Sequence, residues 1–327
     1  MEACLSSLMN QSFRDFEVIV ADNGSSDGSV EYIKKNFPQV KVLENGENLG
    51  FAKGNNMAIE MAIKGGAEFI ALLNNDTEVH ENWISEMVRV LKEDKGIGAC
   101  ASKMLLFDRR DILNSGGGAV NYVGHAWPEG LFEKDTGQYK KREIDLACAG
   151  AFMVKAEVLR EVGLFDEDYF IYAEDTDLSW RIRLAGYKIY YVPEAVVYHK
   201  YNTSFENKDK YYLLERNRLA TIMKNYSLRT LLLVSPGILF AEVAALFYAL
   251  ITGWFWRKLR GYWWNLRNIR RTMEKRRKAQ ILRRVPDSVI VANYRGTMEY
   301  AEVSNQLVEK LFNPIFSLYW RLVKGFI

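Results

Sequence analysis

A chain of 327 residues that is 49% apolar and 26% charged can bury a large core, which excludes a disordered protein and predicts two structural units. Three cysteines, Cys4, Cys100 and Cys148, lack metal-ligand spacing; they exclude a disulfide framework and fit a reducing compartment, as core or near-site thiols. The net charge of +3 hides a division: residues 257 to 284 hold twelve Arg or Lys against Glu274 alone, a balance of +11 that leaves −8 on the other 299 residues and argues against nucleic acid as a partner.

Met1 to Met9 reads as an amphipathic helix with no charged head before an apolar core, so no signal peptide is expected. "FEVIVAD" (16–22) is a predicted strand, and "GSSDGSVEYIKKNF" a helix opened by Ser26 or Asp27. "VKVLEN" is a second strand, "GFAKGNNMAIEMAIKGG" a helix closed by Gly65 and Gly66, and "EFIALLNND" a third strand before a helix from about Glu81 to Lys92. This alternation predicts an α/β fold with a mostly parallel sheet flanked by helices, whose ligands sit beyond the carboxyl ends of the strands. Those ends are Asp22–Asn23–Gly24, Glu44–Asn45–Gly46 and Asn74–Asn75–Asp76. Asn and Asp also make ordinary turns; agreement at three ends is what favours a site.

Residues 99 to 147 read as short strands between turns, and "LACAGAFMVKAEVLREVG" as a strand or turn leading into a helix. A further helix is predicted from Glu174 or Asp175 to Gly186, with Leu178, Ile182 and Ala185 inward, followed by a strand pair in "YKIYYVPEAVVYHK". The composition changes near residue 205, which divides the chain into units 1–205 and 206–327.

Asp76, the Glu174–Asp175–Asp177 cluster and His199 each lie where a strand stops or a helix starts. A divalent cation on a diphosphate needs few protein ligands, because phosphate and water fill its shell; one carboxylate and one imidazole suffice. Such an ion neutralises charge on a departing diphosphate, and a separate carboxylate can take a proton from an attacking hydroxyl.

The stretches "EVIVADNGSSDGS", "NLGFAKGNN", "FIALLNNDTEV" and the run from "EKDTGQY" through "AEDTDLSWRIRLAG" to "EAVVYH" together cover about residues 1 to 205. In combination they resemble the family 2 glycosyltransferases of GT-A (Rossmann-like) fold, most closely the rhamnosyltransferase-like members that build bacterial and archaeal surface polysaccharides. The resemblance implies an inverting, metal-dependent enzyme that moves a sugar from a nucleoside-diphosphate sugar to a lipid-linked or polysaccharide acceptor, using Mg2+ or Mn2+. It places Asp22, Asn23, Gly50, Lys53, Asn55, Asn74 and Asn75 beside the nucleotide, and Asp76 and His199 at the metal. Asp175 is implied as the base, with Glu174 beside it, and Cys148, Gly150 and Asp177 on the acceptor side. Asn74 stands where a strict DxD motif has its first acid. Family members open with a strand before the helix in which this chain begins, so that strand is expected to be absent; this keeps open a catalytically silent nucleotide-sugar or glycan-binding subunit.

"ILFAEVAALFYALITGWFW" (238–256) is long enough for a membrane span, but Glu242 lies inside it and Pro236–Gly237 is predicted to break the helix before it. A single crossing would put the cytosolic donor site and the basic stretch after Trp256 on opposite sides. In "RKLRGYWWNLRNIRRTMEKRRKAQILRR", Leu259, Tyr262 or Trp263, Leu266, Ile269 and Met273 form an apolar stripe among cations, as an interfacial helix on an anionic membrane surface requires. The expectation is an enzyme on the cytoplasmic face of the membrane, peripheral, monotopic or with an even number of passes.

Overall fold

The computed structural model describes residues 1–148, 150–201, 209–299, 310 and 312–327. The chain runs α1 (Glu2–Met9), β1 (Ile19–Asp22), α2 (Ser29–Asn36), β2 (Lys41–Glu44), α3 (Gly50–Lys64), β3 (Phe69–Leu73), β4 (Thr77–Val79), α4 (Trp83–Glu93) and β5 (Ile97–Leu106). Short strands β6 (Leu113–Ser115), β7 (Gly118–Val120), β8 (Ala126–Pro128) and β9 (Arg142–Glu143) precede β10 (Ala151–Lys155), α5 (Ala156–Val162), α6 (Glu174–Leu184) and β11 (Lys188–His199). The described residues that follow form the helices α7 (Asp209–Asn225), α8 (Leu228–Thr252), α9 (Phe255–Arg267), α10 (Ile269–Ile281), α11 (Asp287–Ile290) and α12 (Asn313–Lys324). The expected boundary near 205 lies outside the described residues.

The main sheet has the order β3-β10-β5-β11-β4, with β6 added to β5 and β9 to β11, while β1 and β2 form a separate parallel pair. Among the described residues, only β5 and β11 run parallel within the main sheet; β10 opposes both β3 and β5, and β4 opposes β11. The pairing is therefore more mixed than the expected mostly parallel sheet. Parallel neighbours need crossovers, and β4 and β10 are reached through loops and short strands instead.

Side chains alternate across the sheet and supply a core on each face. Cys100 and Met153 pack with Trp83, Met87 and Leu91 of α4 on one side. Ala99, Ala101, Phe152 and Val154 pack with α3, α5 and α6 on the other. Covered on both faces, β5 is a ten-residue strand buried at every position but Lys103, longer than the short strands expected there. The expected strand pair over 187–200 is likewise one strand, β11, whose register against β5 shifts between Val192 and Val196. Pro193 sits in that irregularity, where a residue without an N–H is tolerated.

A third core joins the two parts of the chain. Trp180 of α6 meets Tyr226 and Tyr294 edge-on, at 4.6 and 5.6 Å between ring centroids, and Tyr122 stacks on Trp320 of α12 at 4.9 Å. Pro236 does not break α8, contrary to expectation: it lies inside the helix. The carbonyl of Leu232, which loses its amide partner to Pro236, accepts the Ser235 hydroxyl at 2.8 Å instead. Gly237 lets the helix reach Tyr122, whose ring would lie 2.6 Å from an added Cβ. Glu242 points inward to a buried group formed by Arg218, Lys258 (2.7 Å) and the Tyr262 hydroxyl (2.5 Å).

Candidate active site

The end of β3 is built around Asn74. Its N–H donates to the Gly150 carbonyl at 2.9 Å, and its carbonyl accepts the Thr77 hydroxyl at 2.6 Å, which starts β4. Pairing of β4 with β11 sets His199 opposite Thr77, and the Lys200 N–H donates to the Asp76 carbonyl at 2.9 Å. Strand register therefore brings together two residues that are 123 positions apart in the chain. Asp76 Oδ1, buried and without a hydrogen bond, faces His199 Nε2 at 3.3 Å. Burial pushes the Asp76 carboxyl up, but the imidazole more than offsets this and holds it below the ordinary carboxylate range.

The imidazole is itself oriented. Its Nδ1 lies 2.9 Å from Oδ1 of Asn114, a buried residue of β6. With Nε2–H toward Asp76 the imidazole favours the carboxylate; with an ion bound, Nδ1–H would donate to the Asn114 oxygen and Nε2 would turn its lone pair to the ion. Two cis ligands of an octahedral ion with bonds of about 2.1 Å stand about 3 Å apart, so the pair's spacing and chemistry fit Mg2+ or Mn2+. Among the described residues no third carboxylate, imidazole or thiolate joins them, which fits an ion whose remaining shell is phosphate and water. Asn114 lies in "NSGGG", which reads as a turn, and nothing in the sequence singles it out. Asn114→Ala is expected to weaken the apparent Mn2+ affinity about 10–100-fold, measured by metal titration, because the ring loses its orienting partner.

Among the residues expected beside a nucleotide, the Asn23 amide donates to the Gly50 carbonyl at 3.0 Å and accepts from the Asn45 amide at 2.9 Å, tying the ends of β1 and β2 to the start of α3. Asp22 accepts the Gly24 and Ser25 amides at 3.0 and 3.1 Å, shaping its own turn. Asn55 donates back to the Phe51 carbonyl at 2.8 Å, and Lys53 and Asn75 are exposed.

The second carboxylate group stands at the start of α6. Glu174 is 4% exposed and its Oε2 has no hydrogen-bond partner. Burial, and then the charge of Asp175, hold the Glu174 carboxyl well above its ordinary range. Asp175 instead accepts the Thr176 amide and hydroxyl at 2.6 and 3.2 Å, donors that favour its charged form. Burial, and then the charge of Asp175, push the Cys148 thiol up, and two residues on, the Gly150 carbonyl accepts the Asn74 N–H.

Asp177 is a correction. It is completely buried and pairs with Arg181 and Lys224, each at 2.9 Å, and with the Asn225 amide at 2.9 Å. Two residues past Asp175 is about 200° around a helix, so it faces α7 and not the acceptor side. The basic stretch also differs from expectation: it breaks at Asn268 into α9 and α10, and part of its charge is paired with acids of the first unit, Arg284 with Glu161 and Arg271 with Asp168 among them.

Residues 1–163 match the family model described as glycosyl transferase family 2. The chain is 28% identical over 218 residues to the N-acetylglucosaminyl-diphospho-decaprenol L-rhamnosyltransferase of Mycobacterium tuberculosis, covering 61% of this chain and 71% of that protein. It is 27% identical over 195 residues to the poly-beta-1,6-N-acetyl-D-glucosamine synthase of Staphylococcus epidermidis, over 59% of this chain and 44% of that one. Among solved structures it is similar to GalNAc-T7 with UDP, GalNAc and Mn2+, at a TM-score of 0.55 and 20% identity, over 68% of this chain and less than half, 44%, of that one. The fold is GT-A, and the chain belongs to glycosyl transferase family 2.

Proposed function

We propose that the chain transfers a sugar, with rhamnose the leading candidate, from a nucleoside-diphosphate sugar to a lipid-linked saccharide in cell-surface glycan synthesis. The observation that carries the reading is the Asp76–His199 pair at 3.3 Å, oriented by Asn114. Asp76 and His199 hold the diphosphate end of the donor at the rim of the sheet, and Asn23, Gly50 and Asn74 shape the nucleotide side. A bound Mg2+ or Mn2+ supplies Lewis-acid neutralisation of charge on the leaving diphosphate. Asp175 takes the proton of the acceptor hydroxyl as its oxygen bonds to the anomeric carbon; the bond to diphosphate breaks on the opposite face, and the configuration inverts. Holding donor and acceptor in line is worth about 7–11 kcal/mol of barrier. The name of the mycobacterial relative supports rhamnose and a polyprenyl-diphosphate acceptor.

The same reading places the protein on the membrane through an in-plane surface. α8 is long and apolar enough to span, but one side of it carries Glu242, bound to Arg218 and Lys258. Crossing would draw those charges into hydrocarbon. The same helix exposes Leu232, Leu239, Val243 and Phe247, and the helices packed against it expose Trp263 and Leu266 of α9 and Leu318 and Leu322 of α12, with Arg260, Arg267 and Arg270 also exposed on α9 and α10. An apolar face framed by cations suits an anionic interface.

A panel of nucleotide sugars, supplied with Mn2+ and a polyprenyl-diphosphate saccharide, is expected to yield nucleoside diphosphate and an extended lipid with one donor. Binding of nucleotide without either product would favour a silent binding subunit. The chain is expected to sediment with anionic vesicles and to be released by high salt; retention through both salt and alkali would instead mean a true span.

A further inference from the structure

We infer that Asn217 of α7 is a positioning residue that fixes the catalytic base, Asp175, and the donor segment together, an inference that rests on the transferase reading above. The loop before α6 has an unusual backbone: Phe170, Tyr172 and Ala173 have φ of 64°, 73° and 63°. Residues with a side chain rarely adopt this left-handed region, and it persists only where the surroundings hold it.

What holds it comes from the helical part of the chain. The Asn217 side chain is completely buried, and its Nδ2 donates to the carbonyls of Tyr169, Ile171 and Tyr172 at 3.0, 3.1 and 2.8 Å. Its Oδ1 accepts Arg216 Nε at 2.8 Å, and Arg216 Nη2 donates to the carbonyls of Asp168 and Tyr169 at 2.7 and 3.1 Å. Lys224 pairs with Asp166 at 2.5 Å, and α10 adds Lys275 and Arg271, which reach Asp168 at 2.5 and 2.6 Å. Cations read from the sequence as lipid-facing are thus committed to this loop.

The loop in turn touches both halves of the site. The Phe170 carbonyl accepts the Ala52 N–H at 3.0 Å, at the start of α3. Gly50 lies so close that an added Cβ would be 2.4 Å from the Phe170 ring. At its other end, the Ala173 carbonyl accepts the Asp177 N–H at 3.0 Å and so opens the helix that carries Glu174 and Asp175. A displacement of the carbonyls at 169–172 therefore moves Gly50 and Asp175 together. Asn is suited to the place because its short amide supplies two protons to carbonyls that share them. Asp has the same shape, no donors, and a charge those carbonyls repel.

The test uses the full chain with Asn217→Asp and Asn217→Ser, read by steady-state kinetics and by amide deuterium exchange. Asn217→Asp is expected to lower kcat about 10²-fold, the effect of a displacement near 1 Å, with KM for the nucleotide sugar changed less. Exchange is expected to rise at 170–177 while the amides of β5 stay protected. Asn217→Ser, which keeps one donor, is expected to fall between. A purely structural role predicts unchanged kcat per folded molecule with exchange raised in β5 as well, and that result overturns the inference. So does an Asn217→Asp chain with wild-type kcat and unaltered exchange at 170–177. Exchange reports on the loop even when no donor is turned over, so failure of the transferase reading remains distinguishable from failure of this one.

Discussion

Asp175→Asn is expected to lower kcat about 10²–10⁴-fold, the usual contribution of a general base, while Glu174→Gln keeps activity within a few-fold of wild type. The two acids are adjacent, and their surroundings separate them. Glu174 is enclosed and its Oε2 lacks a donor, whereas Asp175 receives two bonds from Thr176. A buried carboxyl beside a charged one is pushed toward its protonated form, and Gln reproduces the shape and charge of that form. Nucleotide binding, measured by titration calorimetry, is expected to survive both changes. If Glu174→Gln abolishes turnover and Asp175→Asn does not, the roles are exchanged.

The same assignment fixes a pH dependence. Glu174 has a folded value above its unfolded one, so between the ordinary carboxyl value and its raised value the folded chain binds more protons, and stability falls as pH rises. Glu174→Gln removes that fall and is expected to raise Tm relative to wild type toward alkaline pH. Asp166 and Asp177 have the opposite sign. Burial pushes them up, but Lys224, with Lys275 on Asp166 and Arg181 on Asp177, more than offsets it. Their contribution is present above about pH 4 and is lost as the medium is acidified through their lowered values, so thermal scans are expected to show a steep loss of stability in acid.

Asp76→Ala is expected to remove metal-dependent activity by about 10³-fold or more, because the ligand supports several kcal/mol of charge stabilisation at the leaving diphosphate. Its fold is expected to persist. Asp76 side-chain exposure is 46%, and the structural bonds at this turn come from the backbone and Thr77. A kinetic titration with Mn2+ separates the possibilities: the variant needs far more metal to reach its residual rate, whereas a role in folding alone would leave the metal requirement unchanged.

Much of this was legible in the sequence, for identifiable reasons. The turns after 22, 44 and 73 end strands in Asn and Asp, and Gly65–Gly66 close α3, so local chemistry marks each boundary. Asp76 and His199 are recognisable through a resemblance spread over 205 residues; their contact depends on the β4–β11 register, which no local pattern encodes. Asn114 and Asn217 were not legible because their partners are 85 residues away or backbone carbonyls. Asp177 was misplaced since, besides Arg181 four residues on, its partners Lys224 and Asn225 lie in the other half of the chain. Pro236 reads as a breaker, yet Ser235 beside it satisfies the carbonyl that a proline leaves open.

The central claim is that Asp76 and His199 hold a cation-bound diphosphate. Calorimetric titration of the wild-type chain with UDP or dTDP, with and without Mn2+, tests it most directly. The account predicts that Mn2+ tightens binding at least tenfold in the wild type and has little effect in Asp76→Ala and His199→Ala. Equal binding with and without the metal, or an undiminished metal effect in both variants, would contradict it.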